Sequence, residues 1–333
     1  MKILHLCRSP LAGAPVRLSN FLNKNGIESK CIQSRLSSMK IIPDVVWGKG
    51  KEDLKQFKEY LNWADIIHIH NQPPLHKNSK GWQMLSNINK PFVYQMHGEP
   101  EKVINEMFNV IKKWVRIDRI ACIAQYQAVR LKSLLKDDFY PVRNVVDICD
   151  PLLQYKEVNN ERIKVTYSPS NKEPLEKLKK KRKSTWAYKS YSEVSAILNE
   201  LESKGIIEKD IIYGERFDEC LKRRASGDIH IDDIYTGSYH LSSLEGLSQG
   251  KVVMCNLKDW MIQYLTEFLK CELYELPWVL ADKHSLATTI TELNENRSLL
   301  KKLQRDSREF MEKHWNNEKI LNDYLRIYEG VFK

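Results

Sequence analysis

The sequence predicts an α/β protein of two tandem domains, each built on a parallel, doubly wound sheet. Three observations predict it. Short apolar runs alternate with stretches of helical periodicity, the pattern of βαβ units. At 333 residues the chain is too long for one ordinary domain and fits two of about 150. Its 42% hydrophobic content is ample for two packed cores.

The elements follow in order. Lys2–Cys7 is apolar and reads as the first strand, too short before its loop to be the core of a signal peptide. Arg8 to Arg17 is a loop of small residues entering a helix from about Val16 to Asn23, which stops at the capping pair Asn25-Gly26. Lys51–Trp63 has helical spacing and leads into a strand, Asp65–His70. Pro91–His97 and Ile117–Ala124 are further strands, and Val142–Ile148 is expected to close the first domain. A linker around Leu152–Asn160 precedes a second series. Strands are expected at Arg162–Tyr167, Asp210–Tyr213, Ile229–Ile231 and Lys251–Cys255. Ser190–Lys204 is amphipathic, with Val194, Ile197, Leu198 and Leu201 on one face. The stretch from Ser285 to Lys333 is helical, broken near His314–Asn317.

Composition narrows the class. No apolar run approaches the roughly 18 residues that would span a bilayer, and seven unspaced cysteines point to reduced thiols in the cytosol. Peripheral contact with the inner membrane face stays open. The net charge of +10 implies an anionic partner: a sugar nucleotide, an acidic lipid surface or nucleic acid. The densest basic block runs from Lys177 to Lys183; it reads first as a solvated loop and second as a contact for an anionic partner. No G-x-G-x-x-G follows the first strand, which argues against a dehydrogenase.

The most informative segment is Gly237-Ser-Tyr-His-Leu through Glu245 to Gly250, followed by an apolar strand. A glycine-bearing turn that feeds a helix presents unpaired backbone N–H groups and a partial positive charge, suited to a phosphorylated ligand. Glu245, a lone carboxylate in that helix, could accept hydrogen bonds from a ribose diol. The strand ends Ile66–Asn71, Val93–Gly98 and Ile120–Ala124, then Tyr167–Lys172, Lys189-Ser190 and Gly237–Val253, together resemble the family-4 type of GT-B glycosyltransferase. A subset of that family with a G-x-Y-G-x-x-x-x-E core is matched by Gly237, Tyr239, His240 and Glu245.

The resemblance implies two Rossmann-like domains facing across a cleft, spanning 1–155 and 156–314, with a final helix over 315–333 returning to the first. It implies a retaining transfer of sugar from a nucleoside diphosphate to an acceptor hydroxyl, without a metal or other cofactor. In that reading Lys189 and Lys172 neutralise the departing diphosphate, an ammonium being a compact charge that fits phosphate oxygens. Ser170, Asn171, Gly237, Ser238, Tyr239, His240, Leu241 and Glu245 lie on the donor side, and Gly13 brings backbone close to the diphosphate. His97 matches the family histidine near the donor sugar, and Arg17 would reach the acceptor or stay a solvated helix residue. The family's first acid falls on Gly237 and is missing. Its lysine–glycine motif is delayed to Lys189-Ser190. His68 and His70 share a strand face with metal-compatible spacing but no evident third ligand, and Asp232-Asp233 resembles a metal-binding acid pair only superficially.

Surface polysaccharide or lipid-linked glycan is the leading acceptor class. DNA carrying a hydroxylated base is the alternative that uses the positive charge, and a non-catalytic nucleotide-sugar binder is a third reading, prompted by Gly237.

Overall fold

The computed structural model describes residues 1–36, 39–48, 50–136, 138–180 and 188–332. Two compact units divide the chain: Met1–Val145 with Glu318–Lys333, and Val146–Asn317.

The first unit holds a seven-stranded sheet of β1 (Lys2–Cys7), β2 (Glu28–Gln33), β3 (Val45–Val46), β4 (Ile66–His70), β5 (Phe92–Met96), β6 (Arg119–Ile123) and β7 (Tyr140–Val142). All pairs are parallel and the order is β3-β2-β1-β4-β5-β6-β7, so the direction of winding reverses between β1 and β4. Strands β4 and β5 are buried at every residue, which is why they read as unbroken runs. The helix Lys51–Trp63 occupies the predicted span. Strand β2 carries no such signal, because Ser29 and Gln33 fill buried positions in it. Val142–Ile148 does not form the expected strand; β7 ends at Val142. Two amides that a ladder would use, those of Arg143 and Ile148, donate instead to the side chains of Asp323 and Asn317.

The C-terminal helix Asn317–Gly330 belongs, after its first residue, to the first unit. Arg143 forks onto both oxygens of Asp323 at 2.9 and 2.7 Å, and Arg119 donates to the carbonyl of Gly330 at 2.6 Å, satisfying a helix end. Tyr324 and Tyr328 are buried and meet Gln95 and His68 of the sheet.

The second unit holds β8 (Ile163–Tyr167), β9 (Ile207–Ile211), β10 (Ile229–Ile231), β11 (Val252–Cys255) and β12 (Val279–Leu280), all parallel, in the order β12-β11-β10-β8-β9. Strand β9 lies N-terminal to the expected Asp210–Tyr213, because Ile207 is the residue buried against the core. From the helix Tyr191–Ser203, Val194, Leu198 and Leu201 enter that core with Ile197 at its edge, as the helical spacing requires. Among the described residues no helix is long and apolar enough to cross a membrane.

Lys251, which opens the path into β11, is fully buried and its Nζ has no hydrogen-bond partner. Burial lowers its pKa from 10.5 to about 8, against an opposing pull from Asp228 and with a further push from Lys301. Lys251→Met, which keeps the stem's packing, is therefore expected to stabilise the fold by on the order of 3 kcal/mol at pH 7. The folded value lies below the unfolded one, so the gain is complete below pH 8 and fades as pH rises to 10.5. Urea titrations of both proteins across that range check it.

Candidate functional site

In open parallel sheets, ligands gather at the carboxyl ends of the strands where the winding reverses. In the second unit that point lies between β8 and β10, and polar side chains collect there. Strand β10 runs directly into Asp232 and Asp233, both buried. Asp232 accepts from the backbone N–H of His240 at 2.7 Å and from Ser242 Oγ at 2.6 Å. Asp233 Oδ1 accepts from the amides of Tyr235 and Thr236, closing the turn, while its Oδ2 lies 3.7 Å from Lys189 Nζ. Lys189 Nζ donates to His240 Nε2 at 2.7 Å. His240 Nε2 is thus an acceptor, and its Nδ1 faces Asp232 Oδ2 at 3.5 Å. Burial pushes the Asp232 carboxyl up, but His240, Ser242 and the Lys189 ammonium outweigh it and hold the group below the usual carboxylate range.

Lys189 is placed by the backbone around it. Tyr167 OH, at the end of β8, donates to the Lys189 carbonyl. Ser190 then turns the chain into the helix Tyr191–Ser203 with φ +52°, the left-handed region that glycine enters at no cost. The lysine–serine pair thus adopts a conformation suited to lysine–glycine.

Glu245 sits in the helix Leu241–Ser248 and is not a lone carboxylate. It is 5% exposed, and Arg224, 2% exposed, donates to its Oε2 at 2.7 Å. Arg224 also donates to Ser168 Oγ at 3.0 Å, just past β8. Sequence reasoning missed Arg224, the last residue of the basic run Lys222-Arg223-Arg224 in the helix Phe217–Ala225. Its one signal is helical spacing, which puts it on the face of buried Leu221.

The turn before the helix explains the missing acid. Gly237 has φ +84°, and a Cβ there would come within 2.8 Å of Lys258 Cγ and 3.2 Å of Trp260 Cζ2. Ser238 is buried against Met261, with Oγ 3.3 Å from its sulfur, and the Tyr239 ring packs on Trp278 and Trp315. Their side chains serve the core, so only backbone groups of these two residues could face a ligand. Leu241 opens the helix and is half-buried. Lys172 packs on aromatic faces, its ammonium lying 4.1 Å from the Tyr213 ring centre and 4.9 Å from that of Tyr191. Asn171 Oδ1 accepts from the Glu173 amide and Ser170 is exposed. Of the basic block, Lys177 and Lys180 are exposed on the helix Leu175–Lys180; Lys181, Arg182 and Lys183 lie outside the described residues.

In the first unit, the loop after β1 carries three successive left-handed residues, Leu11, Ala12 and Gly13. At Gly13, φ +77° is a conformation that favours glycine, and a Cβ would lie 2.4 Å from the Ile41 Cδ1 methyl, which would have to shift. Arg17 Nη2 donates to the Val145 carbonyl at 3.0 Å. His97 follows β5 and is joined to a buried histidine array. His70 Nδ1 lies 2.9 Å from His97 Nε2, and His5 Nδ1 lies 2.9 Å from His70 Nε2. His68 stacks on His70 at 4.2 Å and meets Tyr328 OH at 2.8 Å.

The third histidine near His68 and His70 therefore exists. It is His5, which the parallel register sets beside His68. The nitrogens of the three fall within 4.8 Å of one another. His70, however, spends both nitrogens on neighbouring rings, and its stacking on His68 sets their in-plane lone pairs side by side instead of converging on one point.

Two tandem parallel α/β units with a C-terminal helix returning to the first define the GT-B fold. Among solved structures the chain is similar to an alpha-glucosyltransferase in complex with UDP-glucose and DNA containing an abasic site (TM-score 0.69, 13% identity, covering 100% of this chain and 99% of that one). It is also similar to HepE of Anabaena in complex with UDP and glucose (TM-score 0.60, 12% identity, 100% and 99% covered). A third is sucrose-phosphate synthase of Thermosynechococcus elongatus (TM-score 0.59, 12% identity, 100% and 99% covered). These are GT-B proteins, and the likeness shows that this chain shares their fold. No family model matches the chain, and no curated protein does.

Two outcomes follow from the geometry. Glu245→Ala strands a buried guanidinium and is expected to cost about 3–5 kcal/mol, whereas Glu245→Gln keeps an acceptor for Arg224 and costs less; chemical denaturation of the two variants compares them. Burial lowers His5 to about 3 and His97 to about 4 and takes His68 and His70 well below 6.5. The unfolded chain therefore takes up these protons first as pH falls below 6.5. Stability should drop by about 1.4 kcal/mol per pH unit for each ring between pH 6.5 and about 4. Urea midpoints that stay level over that range would contradict it.

Proposed function

We propose that this protein is a glycosyltransferase that moves a sugar from a nucleoside diphosphate to an acceptor hydroxyl with retention of anomeric configuration. One observation supports the reading: the helix Leu241–Ser248, next to the reversal point of the second sheet, carries Lys189-bound His240 at its N-cap and the Arg224-bound Glu245 within it. Such a cluster suits a nucleotide diphosphate, with Glu245 as the acceptor for ribose hydroxyls. Likeness in fold to proteins solved with UDP or UDP-glucose supports it.

As the bond to the diphosphate breaks, negative charge builds on the leaving group. Lys189 neutralises it, with Lys172, Ser170 and Asn171 on the same donor side. The acceptor hydroxyl attacks on the face that the diphosphate leaves, a route that needs no protein nucleophile and no metal. Gly13 brings main chain towards the phosphates, His97 offers a polar contact to the sugar, and Arg17 serves the acceptor.

A surface polysaccharide or lipid-linked glycan, met by a cytosolic enzyme, is the acceptor class of this reading. DNA with a hydroxylated base is the second, favoured by the net charge of +10 and by likeness to an alpha-glucosyltransferase solved with DNA. Phosphate contacts would make such binding fall steeply with salt.

Release of nucleoside diphosphate from a panel of sugar nucleotides, with each acceptor class, tests the proposal. Lys189→Gln can still donate to His240 and is expected to fold normally while kcat falls about 100-fold, the loss typical of one oxyanion-stabilising group. Unchanged turnover in that variant would remove Lys189 from the chemistry. Sugar-nucleotide binding without any turnover would leave only a binding protein. Failure to retain duplex DNA at low salt would dismiss the second acceptor.

A further inference from the structure

The histidine array of the first unit forms a chain of imidazoles with two distinct ends. His5 Nδ1 meets His70 Nε2, and His70 Nδ1 meets His97 Nε2, each at 2.9 Å. The far end, His5 Nε2, is buried and has no hydrogen-bond partner. At the near end His97 is 9% exposed, against 0% for His5 and 1% for His70, and its Nδ1 forms no hydrogen bond among the described residues. Asn71 clamps the His97 backbone from both sides, accepting from its N–H at 2.8 Å and donating to its carbonyl at 2.9 Å, which fixes the main chain that carries the ring.

Each neutral ring carries one proton, and each nitrogen–nitrogen hydrogen bond needs one. Three protons shared over two bonds leave a single proton for one end of the chain. If His70 carries its proton on Nε2, then His5 must carry its own on Nε2, an N–H donor buried without an acceptor. If His70 carries it on Nδ1, the spare proton falls on His97 Nδ1, the end that is open. Orphaned buried N–H groups are the rarer and costlier defect, so the second arrangement prevails. Burial keeps all three rings uncharged at neutral pH, as the counting requires.

We infer that His70 and His5 are positioning residues that lock His97 in its Nδ1–H tautomer, so that His97 presents a hydrogen-bond donor, not an acceptor, to a sugar hydroxyl. The identity of that partner rests on the glycosyltransferase reading; the tautomer does not.

The test is long-range proton–nitrogen NMR on the full chain labelled with ¹⁵N-histidine, at neutral pH and without any sugar nucleotide, with His97 assigned through His97→Gln. The expected spectrum shows a protonated Nδ1 and a bare Nε2 for His97. A protonated Nε2 overturns the inference. His70→Asn places an amide N–H where the imidazole N–H stood and should preserve the His97 tautomer. His70→Phe removes the donor and should return His97 to the Nε2–H form that free imidazole side chains favour in water. Retention of Nδ1–H in His70→Phe would show that His70 does not set it. Should that variant fail to fold, the wild-type and His70→Asn spectra still decide. With sugar transfer in hand, His70→Phe should lower kcat/KM about tenfold, the scale of one hydrogen bond, and His70→Asn should recover most of it. The expected tautomer in a chain that transfers no sugar from any donor would sink the glycosyltransferase reading alone.

Discussion

The buried ion pair between Arg224 and Glu245 is the interaction on which the second unit's site depends. It joins three pieces that are remote in sequence: Ser168 beyond β8, the helix Phe217–Ala225 and the helix Leu241–Ser248. Taking both charges out of water costs several kcal/mol, and their attraction returns little more than that. What the pair secures is direction. A carboxylate pinned through one oxygen by a guanidinium, itself tied to Ser168 just past a strand end, cannot rotate freely.

Asp232 and Asp233 perform the same service for the cations. Adjacent residues leaving a strand point to opposite sides, so the two carboxylates face different neighbours. One organises His240 and the first turn of the helix Leu241–Ser248; the other closes the following turn and lies within 4 Å of Lys189. The two carboxylates of this acid pair therefore do not share one set of neighbours, although the pair resembles a metal site.

Much of this was legible in the sequence, and the exceptions have physical causes. Strands β4, β5 and β10 are buried on both faces and so announce themselves as apolar runs, and the helix Lys51–Trp63 carries its own spacing. Strand β2 hid because its buried positions include the polar residues Ser29 and Gln33: Ser29 Oγ donates to Ser19 Oγ, and Gln33 Oε1 accepts from Cys7. The expected strand after Val142 failed because side chains of the C-terminal helix, far along the chain, took its amides. Arg224 and His5 were missed for a shared reason. Each acts through a partner that only the parallel register or helix packing brings near, and no local spacing records a contact between residues 21 or 63 positions apart.

Two departures from the pattern of the family that the sequence resembles also prove to be opposite solutions of one backbone problem. Where the family carries an acid, Gly237 adopts φ +84° in a space already filled by Lys258 and Trp260. A side chain there would need both a different turn and a different neighbour. Where the family carries glycine, Ser190 holds a left-handed conformation that costs a non-glycine residue about 1–2 kcal/mol. Such strain persists only where the surroundings over-determine it. Tyr167 fixes the preceding carbonyl, and the Ser190 carbonyl accepts the first helical bond from Val194. The chain therefore spends stability next to Lys189, whose ammonium is held by His240 and Asp233, and saves it at Gly237, where only the path of the backbone matters.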